Sequence, residues 1–162
     1  MEDDEATKNI REGYKAHIVK MFQLIGQDEK QATKSMEAVM EIETRLAKKS
    51  FNAVEQRNPA ANYHMLTLDE LKKQIPGFDW DAYISAVGVK GVTSLNVSQI
   101  EPVQEAVAII NSLPMDKQKA YLQWKLIDSA ASYLSDAFVS QNFEFYGKVM
   151  SGKKEDQPRW KK

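Results

Sequence analysis

Residues 14–25 read Tyr-Lys-Ala-His-Ile-Val-Lys-Met-Phe-Gln-Leu-Ile, and this stretch decides the fold class. Its apolar side chains recur at intervals of three and four residues, which places them on one face of an α-helix. These side chains are Tyr14, Ile18, Met21, Phe22 and Ile25. Gly26 follows directly, and glycine commonly ends a helix. The stretch therefore predicts an amphipathic helix that buries one face against other helices.

A second helix is predicted directly after the first. Asp28 followed by Gln31 resembles a capping box at its start, and the cations Lys48 and Lys49 suit its negative end. Its inward stripe comprises Ala32, Met36, Val39, Met40, Glu43 and Leu46. The first proline of the chain is Pro59, and only two glycines precede it. A segment so poor in helix breakers favours helix throughout.

The rest of the chain carries the start signals of shorter helices. These signals are Thr67 with Glu70, Asp79, Ser98 with Glu101 and Pro102, and Pro114. One of these helices is expected to carry Trp80, Tyr83 and Ile84, and the next is expected to continue through Val103, Val107 and Ile110. The side chains expected to point inward from the helix that Pro114 opens are Tyr121, Trp124, Leu126, Ile127, Ala131 and Leu134. An aromatic stretch follows, with Phe138, Phe143, Phe145, Tyr146 and Val149, up to Gly152. We predict an all-α, irregular bundle of about six to eight helices in a single domain, 1–162, with one short extended segment near 89–97.

Composition narrows the class of protein. The 162 residues are 43% hydrophobic and 28% charged, which is typical of a globular domain. The 22 Lys and Arg balance 23 Asp and Glu, so no nucleic-acid partner is expected. The chain has no cysteine, which excludes disulfides and thiolate metal ligands. No apolar run is long enough for a membrane span, and the acidic start is unlike a signal peptide.

Side chains capable of chemistry are sparse. The two histidines, His17 and His64, are 47 positions apart, and no His-Glu-x-x-His or phosphate-binding motif occurs. We expect His17 at the edge of the first helix and His64 in a loop. The carboxylates of Glu37, Glu41 and the Asp69-Glu70 pair are of the type that acid–base catalysis uses, but such surface pairs are usually solvated. We therefore predict no catalytic, cofactor-binding or metal-binding residue in this chain.

Two segments resemble a known family. The first, residues 57–71, reads Arg-Asn-Pro-Ala-Ala-Asn-Tyr-His-Met-Leu-Thr-Leu-Asp-Glu-Leu. It resembles the Arg-Asp/Asn-Pro-x-x-x-Tyr-Asn-x-Met-Thr-Leu-x-x-Leu signature of the neprilysin / endothelin-converting enzyme family. His64 stands where that family usually has Asn, and Leu66 where it often has Met. The second segment comprises Tyr133–Phe138, Asn142–Tyr146, Gly152 and Pro158-Arg-Trp160. It is similar to the end of the non-catalytic region of the same family.

The resemblance implies a zinc metallopeptidase of roughly four times this length. Its catalytic domain would carry His-Glu-x-x-His and bind the zinc, whereas this chain would be a fragment of the helical N-terminal lid that admits only short peptides. The partners implied are that catalytic domain and the oligopeptide substrates. The absence of cysteine fits bacterial members, similar to oligopeptidase O, and the parent enzyme is expected in the periplasm, on the cell surface or secreted.

Alternatives remain open at this point. The chain could be a stand-alone helical interaction module, or an independent enzyme, which the residues favour least. Arg57 could contact substrate or the catalytic domain, or its guanidinium could bond the carbonyls of its own loop. Trp160 is expected to pack where the chain leaves this domain.

Overall fold

The computed structural model describes residues 4–157, and within this range the protein is mostly helical. Seven α-helices lie in the described range: α1 Glu5–Leu24, α2 Glu29–Lys49, α3 Leu68–Gln74, α4 Trp80–Val87, α5 Ile100–Ser112, α6 Met115–Ala130 and α7 Asp136–Asn142. Two short strands, β1 Met65–Thr67 and β2 Ser94–Asn96, pair antiparallel. The predicted all-α class is confirmed. Pro158, Arg159 and Trp160 of the second family segment lie outside the described residues.

Contacts group the described residues into two compact units. The first unit contains the residues before Ile42 and those after Pro114, and the second contains Ile42–Pro114. Helix α2 continues from the first unit into the second. The single domain proposed for 1–162 stays a prediction.

The core of the first unit forms around α1. Asp4 caps this helix, because its carboxylate accepts a hydrogen bond of 2.8 Å from the backbone N–H of Thr7. Ile18, Met21 and Phe22 are fully buried, as their spacing predicts. Ile25 is exposed, contrary to the prediction, because it follows the last helical residue and leaves the buried face.

Helix α2 begins where the sequence predicts. The carboxylate of Asp28 accepts a hydrogen bond of 2.8 Å from the N–H of Gln31. Ala32 and Val39 are buried in the core that α1 forms, and Met36 and Met40 pack against it. The two methionines therefore fill the core, as expected for flexible apolar side chains.

Helix α6 buries one face only. Trp124 and Ile127 are in the core of the first unit, but Leu126 is exposed. The prediction of Leu126 as an inward residue is wrong, because a residue two positions from Trp124 lies on nearly the opposite side of a helix. Leu134 is also exposed, since the chain has left α6 through a 3₁₀ turn, Ala131–Tyr133.

Helix α7 runs directly into a π-helical segment, Phe143–Val149. Phe145 of this segment is buried, whereas Val149 is partly exposed. Gly13 of α1 allows close approach here: a β-carbon on it would lie 3.2 Å from a methyl group of Val149. The aromatic stretch thus supplies core packing, with Phe145 at its centre.

The second unit has its own apolar cluster. Leu66, Leu71, Ile75, Val97 and Val107 form its buried part. Strand β2 falls within the predicted extended segment, and its partner β1 was not predicted because Thr67 indicates only a helix cap. Helix α5 begins one residue later than predicted, with Gln99 rather than Ser98 at the capping position. Ile110, near the end of α5, lines an open groove and is partly exposed.

Candidate functional site

The loop between α2 and β1, residues 51–64, is here called the Arg57 loop. It begins with a reciprocal cap: Asn52 accepts from the N–H groups of Val54 and Glu55, at 2.9 and 3.0 Å. The carboxylate of Glu55 in turn accepts from the N–H of Asn52 at 2.8 Å. These bonds lie at the start of the first of two 3₁₀ turns, Glu55–Arg57.

Asparagines also shape the second half of the Arg57 loop. The Asn62 amide donates to the carbonyls of Asn58 and Gln56, at 2.7 and 3.1 Å. Asn58 accepts a hydrogen bond of 3.1 Å from the N–H of Ala60, which starts the second 3₁₀ turn. Pro59 precedes this turn with a fixed backbone angle that suits it. The loop therefore holds its shape through its own side-chain amides.

Arg57 lies on the exposed surface of this loop. Its guanidinium forms no hydrogen bond or ion pair with the described residues 4–157. The carbonyls that it was expected to bond are instead bonded by Asn62. The structure therefore gives no support to the role in which Arg57 stabilises its own loop.

The end of the Arg57 loop is fixed to β2. The N–H of His64 donates to the side chain of Asn96 at 2.6 Å, and the amide of Asn96 donates to the Asn62 carbonyl at 3.1 Å. The Nδ1 atom of His64 lies 3.1 Å from the carbonyl oxygen of Val97. Because a carbonyl only accepts, His64 is assigned as a donor at Nδ1. Sequence reasoning predicts His64 in a loop but not this link to β2.

A capping box then starts α3. The N–H of Thr67 donates to the Glu70 carboxylate at 2.8 Å, and the Thr67 hydroxyl accepts from the N–H of Glu70 at 3.3 Å. The backbone bond from Thr67, together with its hydroxyl, lowers the pKa of Glu70. This confirms the predicted cap and gives Glu70 a structural role.

The second unit also carries an apolar groove of about 470 Å³. One side is formed by three rings, with Phe78 and Trp80 centred 4.8 Å apart and Tyr83 next to both. The indole of Trp80 donates to the Ile75 carbonyl at 2.8 Å, which fixes the ring. The groove is wide open and holds no charged side chain among its lining residues.

In the first unit, His17 is buried rather than at the helix edge, with 1% of its surface exposed. Its ring stacks on Phe145 at 5.0 Å and meets Trp124 and Tyr146 edge to face. Burial lowers the pKa of His17 to about 4, against a weaker opposing effect of Asp128. The helical spacing from Tyr14 to Met21 already contains the signal for this position, because His17 is three residues after one and four before the other.

The nitrogens of His17 have unequal surroundings. Nδ1 lies 3.2 Å from the side-chain amide of Gln141, whose N–H donates to it. The proton is therefore on Nε2, which is buried without a hydrogen-bond partner in the described part of the chain. A neutral, enclosed imidazole of this kind is part of the aromatic core.

The remaining candidates for chemistry are separated. No group of three His, Asp or Glu side chains among residues 4–157 is placed to hold a metal ion. The Glu41 carboxylate is 2.5 Å from the Lys117 ammonium, which is a surface ion pair. His17 and His64 belong to different units. None of the helices within 4–157 is both long and apolar enough to cross a membrane.

Comparison with known proteins places this fold in a class of peptidases. A sequence model of peptidase family M13 matches residues 1–162, and the chain belongs to this family. It is 25% identical over 153 residues to neprilysin-11 of Caenorhabditis elegans, covering 90% of this chain and 18% of the relative. It is 24% identical over 163 residues to endothelin-converting enzyme 1 of Rattus norvegicus, covering 95% and 21%. The predicted resemblance is thereby confirmed.

Solved structures agree with this assignment. The fold matches the Mycobacterium tuberculosis zinc metalloprotease Zmp1 with TM-scores of 0.90 in its open state and 0.91 in complex with an inhibitor, at 29% identity. The TM-score to a partial open state is 0.80, at 28% identity. Each match covers 98% of this chain and 24% or 25% of the protease. The chain therefore spans about a fifth to a quarter of the length of these relatives.

Proposed function

We propose that this chain is a non-catalytic helical segment of a neprilysin-like zinc metalloendopeptidase, and that it helps to enclose the substrate chamber and restrict it to oligopeptides. The observation that carries the proposal is the match of 98% of the chain to a quarter of a zinc metalloprotease, with a TM-score of 0.90. The family membership of residues 1–162 supports it independently. The single domain assigned to 1–162 belongs to this proposal.

The zinc and the catalytic groups belong, in this proposal, to another part of the enzyme. Within 4–157, no set of three side chains suits a metal ion. Glu41 and Glu70, two carboxylates of the type used in acid–base catalysis, are engaged in an ion pair and a helix cap. We therefore place zinc, its ligands and the general base in the length of the relatives that this chain does not match.

By enclosing the substrate chamber, this segment would make the enzyme specific for short peptides, because larger folded substrates could not enter. One similar protease is described in an open state and a partial open state, which supports an enzyme of this class that opens and closes. A packed helical wall at a chamber removes water from the reacting groups and rejects folded substrates, and it supplies no ligand or base. A loop that is already fixed, like the Arg57 loop, presents a side chain for binding at a lower entropic cost, because its backbone is ordered beforehand.

Arg57 is the side chain that we assign to this contact. It is exposed on a loop whose shape depends on Asn52 and Asn62 rather than on Arg57 itself. A planar guanidinium binds a carboxylate with two parallel hydrogen bonds. We infer that Arg57 binds a carboxylate of the peptide substrate or of the catalytic domain.

Localisation follows the same proposal. We place the parent enzyme in the periplasm, at the cell surface or outside the cell, and assign it to a bacterium because the chain has no cysteine for disulfides. The alternative function is a stand-alone helical interaction module. The exposed apolar face of α6 fits this alternative and the proposed function equally and does not decide between them.

The deciding experiment begins with the gene. Its full product should contain His-Glu-x-x-His after residue 162, bind about one zinc ion per chain and hydrolyse an unstructured peptide. Residues 1–162 alone should hydrolyse nothing, with or without zinc. A gene product without that motif would support the interaction module, and hydrolysis by residues 1–162 would make the chain an enzyme in its own right.

A further inference from the structure

The outward face of α6 carries an apolar stripe that the core does not use, here called the α6 seam. It consists of Met115, Leu122, Leu126 and, in the following 3₁₀ turn, Tyr133. Their exposed fractions are 62%, 67%, 69% and 85%. Leu122 and Leu126 lie on the side of α6 opposite Trp124, so folding of the first unit does not explain them.

The spacing of the α6 seam points to a helical partner. Met115, Leu122 and Leu126 are separated by seven and four residues, which is the interval at which side chains repeat along a seam between two helices. A helix that is apolar on two faces is normally buried on both. A row of exposed apolar side chains along one helix face commonly marks an interaction site.

The charges beside the α6 seam indicate the chemistry of that partner. Lys119 and Lys125 are exposed and form no ion pair or hydrogen bond with residues 4–157. By contrast, Lys117 on the inner side of α6 is paired with Glu41. Free cations next to an apolar seam are complementary to a helix with carboxylates at its flanking positions.

A second copy of this chain fits less well. In an antiparallel pair centred on Leu122, Lys119 of one copy would lie opposite Lys125 of the other. Like charges placed opposite each other oppose association. The other carboxylate on α6 besides Asp116 is Asp128, which already accepts a hydrogen bond of 2.9 Å from Tyr146.

We propose that the α6 seam docks one amphipathic helix, with Asp or Glu beside its apolar stripe, that belongs to the remainder of the longer peptidase. This inference rests on the proposed function, because relatives matched by this chain contain about four times as much sequence. Docking of that helix would join the non-catalytic segment to the rest of the enzyme through the first unit.

Photo-crosslinking in the full-length gene product tests this directly. A benzophenone amino acid replaces Leu122 or, separately, Leu126, and Lys34 on the exposed side of α2 serves as the control. Both α6 positions should crosslink within the same molecule to one helical peptide outside 1–162, and the Lys34 position should not. Crosslinked dimers, crosslinks to added anionic lipid vesicles, products confined to 1–162, or no products at all would each overturn the inference.

Charge reversal tests the acidic flank. Lys119→Glu together with Lys125→Glu should lower the crosslink yield from Leu126 several-fold, whereas Lys34→Glu should leave it unchanged. An unchanged yield in the double variant would refute an acidic partner. If the gene encodes no residues beyond this chain, the proposed function fails. If it encodes them and they do not crosslink, only this inference fails.

Discussion

The aromatic ring of Phe143 lies directly against the α-carbon of Gly147, so that a β-carbon at position 147 would overlap the ring. Both residues belong to the π-helical segment that follows α7. The φ angle of Gly147 is negative, so its backbone conformation does not require glycine. Glycine is needed at this position because there is no room for a side chain. Phe145 and Tyr146, which lie between Phe143 and Gly147 in the sequence, contact the ring of His17.

Gly147→Ala should destabilise the first unit by about 1–3 kcal/mol, because the added methyl group must displace the Phe143 ring. Urea unfolding measured by circular dichroism gives this value. The control is the same substitution in a Phe143→Ala background, where the overlap is absent. There, alanine should be neutral or stabilise the helix by up to about 1 kcal/mol. An equal loss in both backgrounds would contradict steric overlap as the cause.

His17 should make stability depend on pH. Its pKa is lowered to about 4 in the fold from an ordinary value of 6.5, so the unfolded chain binds more protons between these two values. Stability is therefore greatest above pH 6.5 and falls as the pH decreases toward 4. The loss between pH 7 and pH 5 should be about 2 kcal/mol.

The matched variant for this measurement is His17→Gln, which cannot titrate. It should be less stable at pH 7, since it alters the aromatic contacts, but it should lose about 2 kcal/mol less than the natural chain on going to pH 5. If both proteins show the same pH dependence, the account of a buried neutral His17 is wrong.

Thr67→Val should cost about 1 kcal/mol, because it keeps the shape of the side chain but removes the oxygen that caps α3. Thermal unfolding of the variant measures the loss. Thr67→Ser retains the hydroxyl and should remain near the natural stability. The pKa of Glu70, followed by NMR, should rise toward its ordinary value in the valine variant because the Thr67 hydroxyl no longer donates to it. A valine variant as stable as the serine variant would show that the cap contributes nothing.

Arg57→Ala in the full-length peptidase should lower kcat/KM for an oligopeptide about 10-fold or more, since a charged hydrogen bond contributes about 1.5–3 kcal/mol. Arg57→Lys should recover only part of the lost activity. Lysine restores the positive charge, but its ammonium cannot form the two parallel hydrogen bonds of a guanidinium. The matched control is Lys90→Ala, another exposed cation of the second unit without a partner in 4–157. Equal activity of the Arg57 and Lys90 variants would remove Arg57 from the proposed contact.

The starts of helices could be predicted from the sequence wherever a single local feature, such as a capping residue, determines them. The capping residues Asp28, Thr67 and Asp79 each start a helix as expected, because a cap depends on neighbours within three residues. Leu126 was misplaced, because apolar character alone does not tell a core face from an outward one. Strand β1 was not predicted, since its pairing with β2 depends on residues far away in the sequence.

The site was less predictable than the fold. The Arg-Asn-Pro motif indicated Arg57 as a candidate residue. The geometry of its loop, however, depends on the side-chain amide of Asn62, which donates to three backbone carbonyls. These carbonyls are brought together only by the 3₁₀ turns. His17 had the right spacing for the core and was still expected at the edge, because a titratable side chain is rarely buried without complete hydrogen bonding. Membership of the peptidase family, in contrast, could be predicted from the sequence, because the motifs of the family occur in a fixed order along the chain.

The most direct measurement of the central claim compares two substrates of the full-length enzyme. One is an unstructured oligopeptide, and the other presents the same sequence in a surface loop of a stably folded protein. If this chain helps to enclose a chamber, the zinc-loaded enzyme should cleave the free peptide at least about 100-fold faster, because exclusion acts on size and fold. Equal cleavage of both substrates would contradict the account.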